Sequence, residues 1–510
     1  MVEKMKESSV KKNIVANFAG KAWASIMSLV FIPLYIKFMG IEAYGLIGIF
    51  VSLIAILAIL DMGLSSTLSR ELARLSTSED TAQESRDLVR TMEFVYWGVG
   101  IIIGVGFLAL APLIAHYWVN TQGIPAQTVQ QAVLIMGLVV AFQWPASLYD
   151  GGLVGLQRQV LLNTVRSVMA TIQHAGAVLV LWFISPSILV YFTWQIFISI
   201  IQTLLLAHFV WKSLPATHKQ SAFQKNLLRK NWRFAAGMTG ISVVATILTQ
   251  TDKIILSKLL PLRVFGYYML AATVGNALAY LVQPISAALF PKLTQLVFDK
   301  EQINLSSLYH NGCKLASLIV LPAAMTLALF SREILTLWIR DAEIVQHSFF
   351  LVSLMVIGTA INSLMVLPYT LQLAYGWTKL VFSQNVISTI LLVPLMIIMV
   401  NNYGAVGAPI VWIILNAGYL FILIPLMHRR LLSSEMKKWY LHDIGAPFLI
   451  IASIVLLSRV LMPVDVSKYI TLLWLILTPL IAFIITTVSL PSTRAWINWS
   501  KLRNFSFSMK

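Results

Sequence analysis

Residues Lys212–Arg233 read KSLPATHKQSAFQKNLLRKNWR, with six Lys/Arg, no acidic residue and an apolar half of the chain on either side. Short basic loops are retained on the cytoplasmic side of a membrane. If each half crosses an even number of times, the two halves share one orientation, related by a pseudo-twofold axis along the membrane normal. The expected organisation is an N-lobe (1–211), a basic cytoplasmic linker (212–233), a C-lobe (234–430), and a final segment (431–510) of two additional helices and a cytoplasmic tail.

Composition sets the class. Of 510 residues, 58% are hydrophobic and 11% charged, more apolar than a soluble domain that must face water. The net charge of +17 is spread between apolar segments and forms no single stripe, so it reads as a topology signal and no nucleic-acid partner is expected. A single cysteine, Cys313, excludes an internal disulfide framework and a multi-cysteine metal site. After the basic stretch Met1–Lys12 the first apolar run is too long for a signal-peptide core, so no cleaved leader is expected.

A hydrocarbon core of about 30 Å needs roughly 20 apolar residues per helix. Fourteen such windows fit: 13–36, 44–68, 92–118, 128–155, 159–184, 187–211, 234–258, 265–290, 312–337, 346–373, 378–400, 404–428, 444–462 and 468–490. The expected fold is an all-α polytopic membrane protein with about 14 transmembrane helices, six per lobe and two at the C-terminal end. With both termini cytoplasmic, cytoplasmic flanks collect 27 of the 37 Lys/Arg and the opposite flanks seven. The remaining three, Lys21, Arg166 and Lys253, are counted as inside spans and not with a flank. Such a bias is hard to obtain with the wrong parity of crossings.

Two further patterns refine this picture. A shift of 221 residues sets Ile41–Leu75 on Leu262–Leu296 without a gap, and pairs Leu57-Ala58 with Leu278-Ala279, Lys37 with Lys258, and Gly155 with Gly376. One offset serving several helices supports a six-plus-six duplication. The longest loops on the far side, around Val119–Gln130 and Arg332–Val345, are too short for a catalytic domain of a glycosyltransferase, polymerase or ligase. Neither a nucleotide-binding glycine loop nor zinc-ligand spacing nor a nucleophile motif occurs, so no enzyme activity, cofactor or metal is expected.

Charges inside the spans are the candidate site. Lys21 lies about two turns into the first span, where a lysine costs a few kcal/mol unless it faces water or an anion. Its bland alternative is snorkelling to the interface. Asp150 and Arg158 flank the end of the fourth span, as a polar cluster or a gate. Arg166 and His174 stand two turns apart and share a face; Arg166 is placed to meet an anion, and His174 either titrates near neutral pH or is a packed, hydrogen-bonded residue among Gln173, Ala175 and Gly176. Asp252 and Lys253 project about 100° apart on their helix, so one of them is expected to turn to a cavity. Trp144 and Trp194 are candidates to stack on sugar rings, against ordinary packing. Gly100-x-x-x-Gly104 and Gly151-x-x-x-Gly155 mark close helix contacts, and prolines such as Pro33, Pro145, Pro284 and Pro394 mark possible bends.

The second span ends in LDMGLSSTLSRELARL (Leu60–Leu75), and PASLYDGGLVGLQRQ (Pro145–Gln159), TQTDKIILSKLL (Thr249–Leu260) and FGYYMLAATVGNALAYLVQPISAALFPKLTQL (Phe265–Leu296) follow it. With Asp61, Gly63, Ser65 and Arg70, these stretches resemble the polysaccharide-type, Wzx-like flippases. Their superfamily also holds multidrug and toxic-compound extruders and the lipid II flippase. The resemblance implies a V-shaped bundle of two six-helix lobes around a central cavity, in the bacterial inner membrane. Such proteins carry a polyprenyl (undecaprenyl)-diphosphate-linked oligosaccharide to the outer leaflet by alternating access, for O-antigen, capsule or exopolysaccharide. Implied partners are that lipid-linked glycan, membrane lipids, a proton or sodium ion and a polysaccharide polymerase, with Asp61, Asp252 and His174 as local candidates for ion coupling. Diphosphate and sugars would need a hydrated, cationic cavity. Alternatives on the same fold are an ion-coupled multidrug or cation antiporter, which would favour acidic and aromatic walls, and a lipid II flippase. An intramembrane Lys21 favours an anion.

Overall fold

The computed structural model describes residues 2–75, 81–463, 467–491, 493 and 494; the expected cytoplasmic tail beyond 494 lies outside the described residues. The described residues contain helices and connections and no strand. They form two compact units, Met1–Gly266 and Tyr267–Lys510. In chain order the first unit contains α1 (Val2–Leu57), α2 (Leu64–Leu75), α3 (Ala82–Leu113), α4 (Ala126–Gln143), α5 (Ala146–Gly155), α6 (Gln159–Phe183), α7 (Ile188–Ser213) and α8 (Lys225–Leu259). Next come α9 (Leu262–Ala277), which bridges the division, α10 (Ala279–Phe298), α11 (Gln302–Leu329), α12 (Ser331–Trp338), α13 (Ala342–Leu364) and α14 (Val366–Ala374). The chain continues through α15 (Thr378–Tyr403), α16 (Gly407–Gly418), α17 (Ile424–Leu431), α18 (Met436–Lys438), α19 (Ala446–Leu461) and α20 (Lys468–Ser489).

Eleven helical stretches among the described residues are long and apolar enough to cross a membrane. Two of them are too long for one crossing. At 1.5 Å per residue, Val15–Asp61 with 47 residues and Lys379–Leu431 with 53 would run roughly 70 and 80 Å, more than twice the hydrocarbon thickness. Each is broken at a glycine whose backbone an L side chain rarely adopts, Gly40 (φ 82, ψ 166) and Gly404 (φ 58, ψ −140). A further helix, α8, has 35 residues and is long enough to cross, but its basic start and Asp252, Lys253 and Lys258 dilute its apolar character. Splitting the two long stretches and adding α8 gives fourteen crossings, the number read from the sequence.

The breaks repeat along with the sequence. Helix α1 stops at Leu57, and a 3₁₀ turn at Ala58–Asp61 leads through left-handed Met62 (φ 46) and Gly63 (φ 72) into α2. The corresponding break between α9 and α10 falls at Leu278, where the 221-residue shift places it. Helices α4 and α5 part at Trp144-Pro145, and α13 and α14 at Met365. Proline explains both: Pro145 cannot donate to the Ala141 carbonyl, nor Pro368 to that of Leu364. Pro33, Pro284 and Pro394 lie within continuous helices, so the sharpest change in α1 sits at Gly40, between the first two spans, and not at Pro33.

Small residues set the close approaches. A Cβ on Gly100 of α3 would lie 2.7 Å from the Ala141 carbonyl that Pro145 leaves free. On α5, a Cβ on Gly151 would lie 2.4 Å from the Ser65 carbonyl, and one on Gly155 2.4 Å from that of Ser69, so α5 rests backbone to backbone on α2. Side-chain rotation cannot relieve a clash with backbone. Gly155→Ala should therefore cost about 1–3 kcal/mol of stability and lower membrane abundance, whereas Gly106→Ala, with open space around it, should leave both unchanged. Unfolding of the purified proteins in detergent checks this.

At the end of α2, Leu64, Thr67, Leu68, Glu71, Leu72 and Leu75 form its buried face at the three- and four-residue spacing of a helix stripe. Burial works against the charge of Glu71, but the guanidiniums of Arg70 (2.7 Å) and Arg74 (2.9 Å) outweigh it and hold the carboxyl below its ordinary range. In the second unit, α19 and α20 are docked on α11 through Leu321, Phe330, Leu364, Ile451, Val455 and Ala482. Their other faces leave Leu449, Val460, Leu472 and Ile484 exposed, which suits hydrocarbon and not water.

Candidate functional site

Interrupting α4–α5 at Pro145 brings the polar residues around the break to a cavity of about 550 Å³ within the first unit. Its walls come from α1, the turn after it, α4 to α6, and α7. Four of the residues singled out in the sequence line it: Asp61, Trp144, Asp150 and Arg166. Between them stand Gln143, Gln173, Gln202 and Ser147, which add amides and a hydroxyl.

The charges in this cavity are already engaged. Arg166 Nη2 is paired with Asp150 Oδ2, joining α6 to α5. Arg166 keeps 45% of its side chain exposed and Asp150 19%, so the guanidinium remains accessible from the cavity. The second carboxylate oxygen, Asp150 Oδ1, is buried without a hydrogen-bond partner. Asp61 accepts from Ser65 Oγ at 2.8 Å and from the Tyr96 hydroxyl. The Tyr96 ring in turn stacks on Trp144, with centroids 6.3 Å apart. Gln173 Nε2 donates to Gln195 Oε1 at 2.7 Å. The cavity thus offers one accessible guanidinium, several neutral hydrogen-bonding groups and an indole wall.

The other candidates are placed differently. Lys21 is exposed on α1, one turn before Ala24, which lines the cavity, and has no carboxylate partner among the described residues. His174 is partly buried; its Nδ1 meets the Tyr35 hydroxyl at 2.9 Å and its ring stacks on Phe31 with centroids 5.9 Å apart. Trp194 Nε1 donates to the Gln173 carbonyl at 3.0 Å, and its ring occupies the gap at Gly176, where a Cβ would lie 2.2 Å away. His174 and Trp194 therefore join α6 to α1 and α7.

For Asp252 and Lys253 the expectation of divergence needs correction. Lys253 Nζ folds back to Asp252, 3.1 Å from Oδ1 and 3.2 Å from Oδ2, and donates to the Thr249 carbonyl at 2.9 Å. The Cα–Cβ directions do diverge, but a four-carbon stem is long and flexible enough to close the angle.

Sequence reasoning missed the three glutamines, which carry no charge and so stand out from no apolar background. It also missed a buried network in the second unit. His310 of α11 is bound by Asp443 at Nδ1 and by Glu435 at 2.9 Å from Nε2, and Lys314 Nζ lies 3.8 Å from Asp443. The i, i+4 spacing of His310 and Lys314 was an available signal of a shared polar face. Among the described residues no group of three or more His, Cys, Asp or Glu is arranged to hold a metal ion.

Among the described residues, helices of membrane-crossing length with a polar cavity sunk among those of the first unit define a polytopic membrane protein of the kind that moves polar cargo past lipid. The chain belongs to the polysaccharide biosynthesis protein family, whose model matches residues 10–297. It is similar to a Shigella flexneri protein described as "Putative O-antigen transporter", 23% identical over 409 residues, covering 79% of this chain and 94% of that one. It is also similar to the lipopolysaccharide biosynthesis protein WzxC of Escherichia coli (strain K12), 21% identical over 450 residues and 84% of each chain. Its fold is that of the lipid II flippase MurJ in an inward closed conformation, with a TM-score of 0.70 over 93% of this chain and 97% of that one at 14% identity. The chain is a multi-pass protein of the bacterial inner membrane.

Proposed function

We propose that the chain carries polyprenyl-diphosphate-linked oligosaccharide repeat units from the cytoplasmic to the outer leaflet by alternating access, for synthesis of O-antigen, capsule or exopolysaccharide. The observation that carries this reading is the cavity holding Arg166 beside Asp150 with Gln143, Gln202 and Trp144 around it. A lipid tail can stay in hydrocarbon, but diphosphate and sugar hydroxyls are prohibitively costly there unless paired. An exposed guanidinium can exchange a carboxylate for phosphate oxygens in bidentate fashion. Amides can meet hydroxyls and an indole face can cover a sugar ring. Family membership and the names of the two relatives favour the same cargo.

In this reading Lys21 supplies a second cation near the cavity, both termini and the basic linker are cytoplasmic, a proton or sodium ion drives the cycle, and a polysaccharide polymerase takes the product. The protein itself makes or breaks no covalent bond. Export of cationic drugs would use Asp61 and Asp150, but Tyr96 and Ser65 already donate to Asp61, and Asp150 is paired with Arg166 through one oxygen while its other oxygen is buried. The test is the leaflet distribution of radiolabelled polyprenyl-diphosphate oligosaccharides in vesicles with and without the protein. Outer-leaflet material should depend on the protein, disappear with Lys21→Ala at normal abundance, and return in part with Lys21→Arg. An unchanged distribution in the absence of the protein would refute the proposal.

A further inference from the structure

A second cavity, of about 720 Å³, lies in the second unit where α12, α19 and α20 meet. Three cations line it, Arg332, Arg459 and Lys468, against one carboxylate, Glu333. Glu333 is spent on a single partner, Arg459 Nη1, at 2.5 Å. Among the described residues neither Arg332 nor Lys468 has a carboxylate partner. Aromatic rings hold them instead: Arg332 Cζ lies 5.9 Å from the Phe349 centroid and Lys468 Nζ 5.2 Å from that of Tyr469. Rings position a cation without neutralising it. Lys468 also opens α20, a helix of 22 residues whose N-terminal dipole adds to the positive field.

Three apolar spans end at this cavity: one at Leu329, one at Leu461, and one beginning at Lys468. The cavity therefore sits at a membrane–water boundary, at the depth of lipid headgroups. Beside it, Val460 is 81% and Tyr469 72% exposed, and Leu461 and Leu473 continue the apolar surface towards hydrocarbon. Cations without a carboxylate partner among the described residues, above a lipid-facing wall, match a phosphate joined to acyl chains better than a free anion in water. We propose that this cavity is a binding site for the headgroup phosphate of an anionic membrane lipid, distinct from the cavity of the first unit and independent of the transport reading.

The test is native mass spectrometry of the delipidated full-length protein in detergent, offered phosphatidylglycerol or phosphatidylcholine of matched chains, with inorganic phosphate in a separate arm. One tightly retained phosphatidylglycerol per chain, preferred about tenfold over phosphatidylcholine, is expected. Arg332→Gln/Lys468→Gln should remove the preference. Glu333→Gln, by releasing Arg459, should strengthen it. If the double variant does not fold, Lys468→Gln alone, at an exposed position, should still weaken retention about threefold. Equal retention of the two lipids, or a preference that survives these substitutions, would overturn the site. Displacement of the bound lipid by millimolar inorganic phosphate would overturn its assignment to a lipid.

Discussion

Arg166→Gln should lower the protein-dependent appearance of outer-leaflet glycan at least about tenfold, while Asp150→Asn should leave it within about threefold. The estimate follows from the worth of hydrogen bonds to a charged group, about 1.5–3 kcal/mol each, or roughly ten- to a hundredfold in an equilibrium. The two residues form one ion pair across α5 and α6. Were the pair only a clamp between helices, removing either end would do similar damage, since both singles break the same interaction. If Arg166 instead hands its guanidinium to a diphosphate, only its loss removes the substrate contact, and loss of the Asp150 charge removes a competitor. Arg166→Lys should fall between, because the charge remains while the planar fork is lost. The leaflet assay, normalised to protein abundance, decides the matter. Equal loss from both substitutions would leave the pair a structural role only.

The largest effect on stability should come from Asp443→Ala, at about 3–5 kcal/mol. The Asp443 side chain is fully buried, with His310 at 2% and Lys314 at 9% exposure around it. Deleting the carboxylate leaves Lys314 in a low-dielectric site without its anion and His310 with Glu435 alone, a cost greater than the net worth of the intact cluster. Asp443→Asn, which keeps an acceptor for His310, should cost less. Glu435, at the same cluster but outside the spans, is partly exposed. Burial opposes its charge, but the Ser306 hydroxyl, Lys438 and His310 outweigh that and hold its carboxyl below the ordinary range. A folded-state value below the unfolded one means that its contribution is present at neutral pH and fades as pH falls through the folded value. Thermal unfolding of the purified variants in detergent measures the differences. An Asp443→Ala protein as stable as the parent would show that the cluster is not a buried ionic network.

What the sequence determined by itself is the one-dimensional content of the fold. A bilayer imposes a fixed apolar length, so the crossings follow from composition along the chain. The Leu57-Ala58 and Leu278-Ala279 match marked the duplication, but the expected spans 44–68 and 265–290 run through both sites, so the breaks after α1 and α9 came only with the structure. Of the site, the charged residues were legible because Asp61, Asp150 and Arg166 stand out against apolar neighbours. Their partners were not. Asp61 meets Tyr96 across 35 residues, Tyr35 meets His174 across 139, and Asp443 meets His310 across 133. Only tertiary packing decided that Trp194 fills the gap at Gly176, that Lys253 bends back on Asp252, and that three glutamines share a cavity with Arg166. Partitioning into lipid acts on each segment by itself, whereas pairing depends on the rotation and contact of helices distant in the chain, which side-chain packing alone selects.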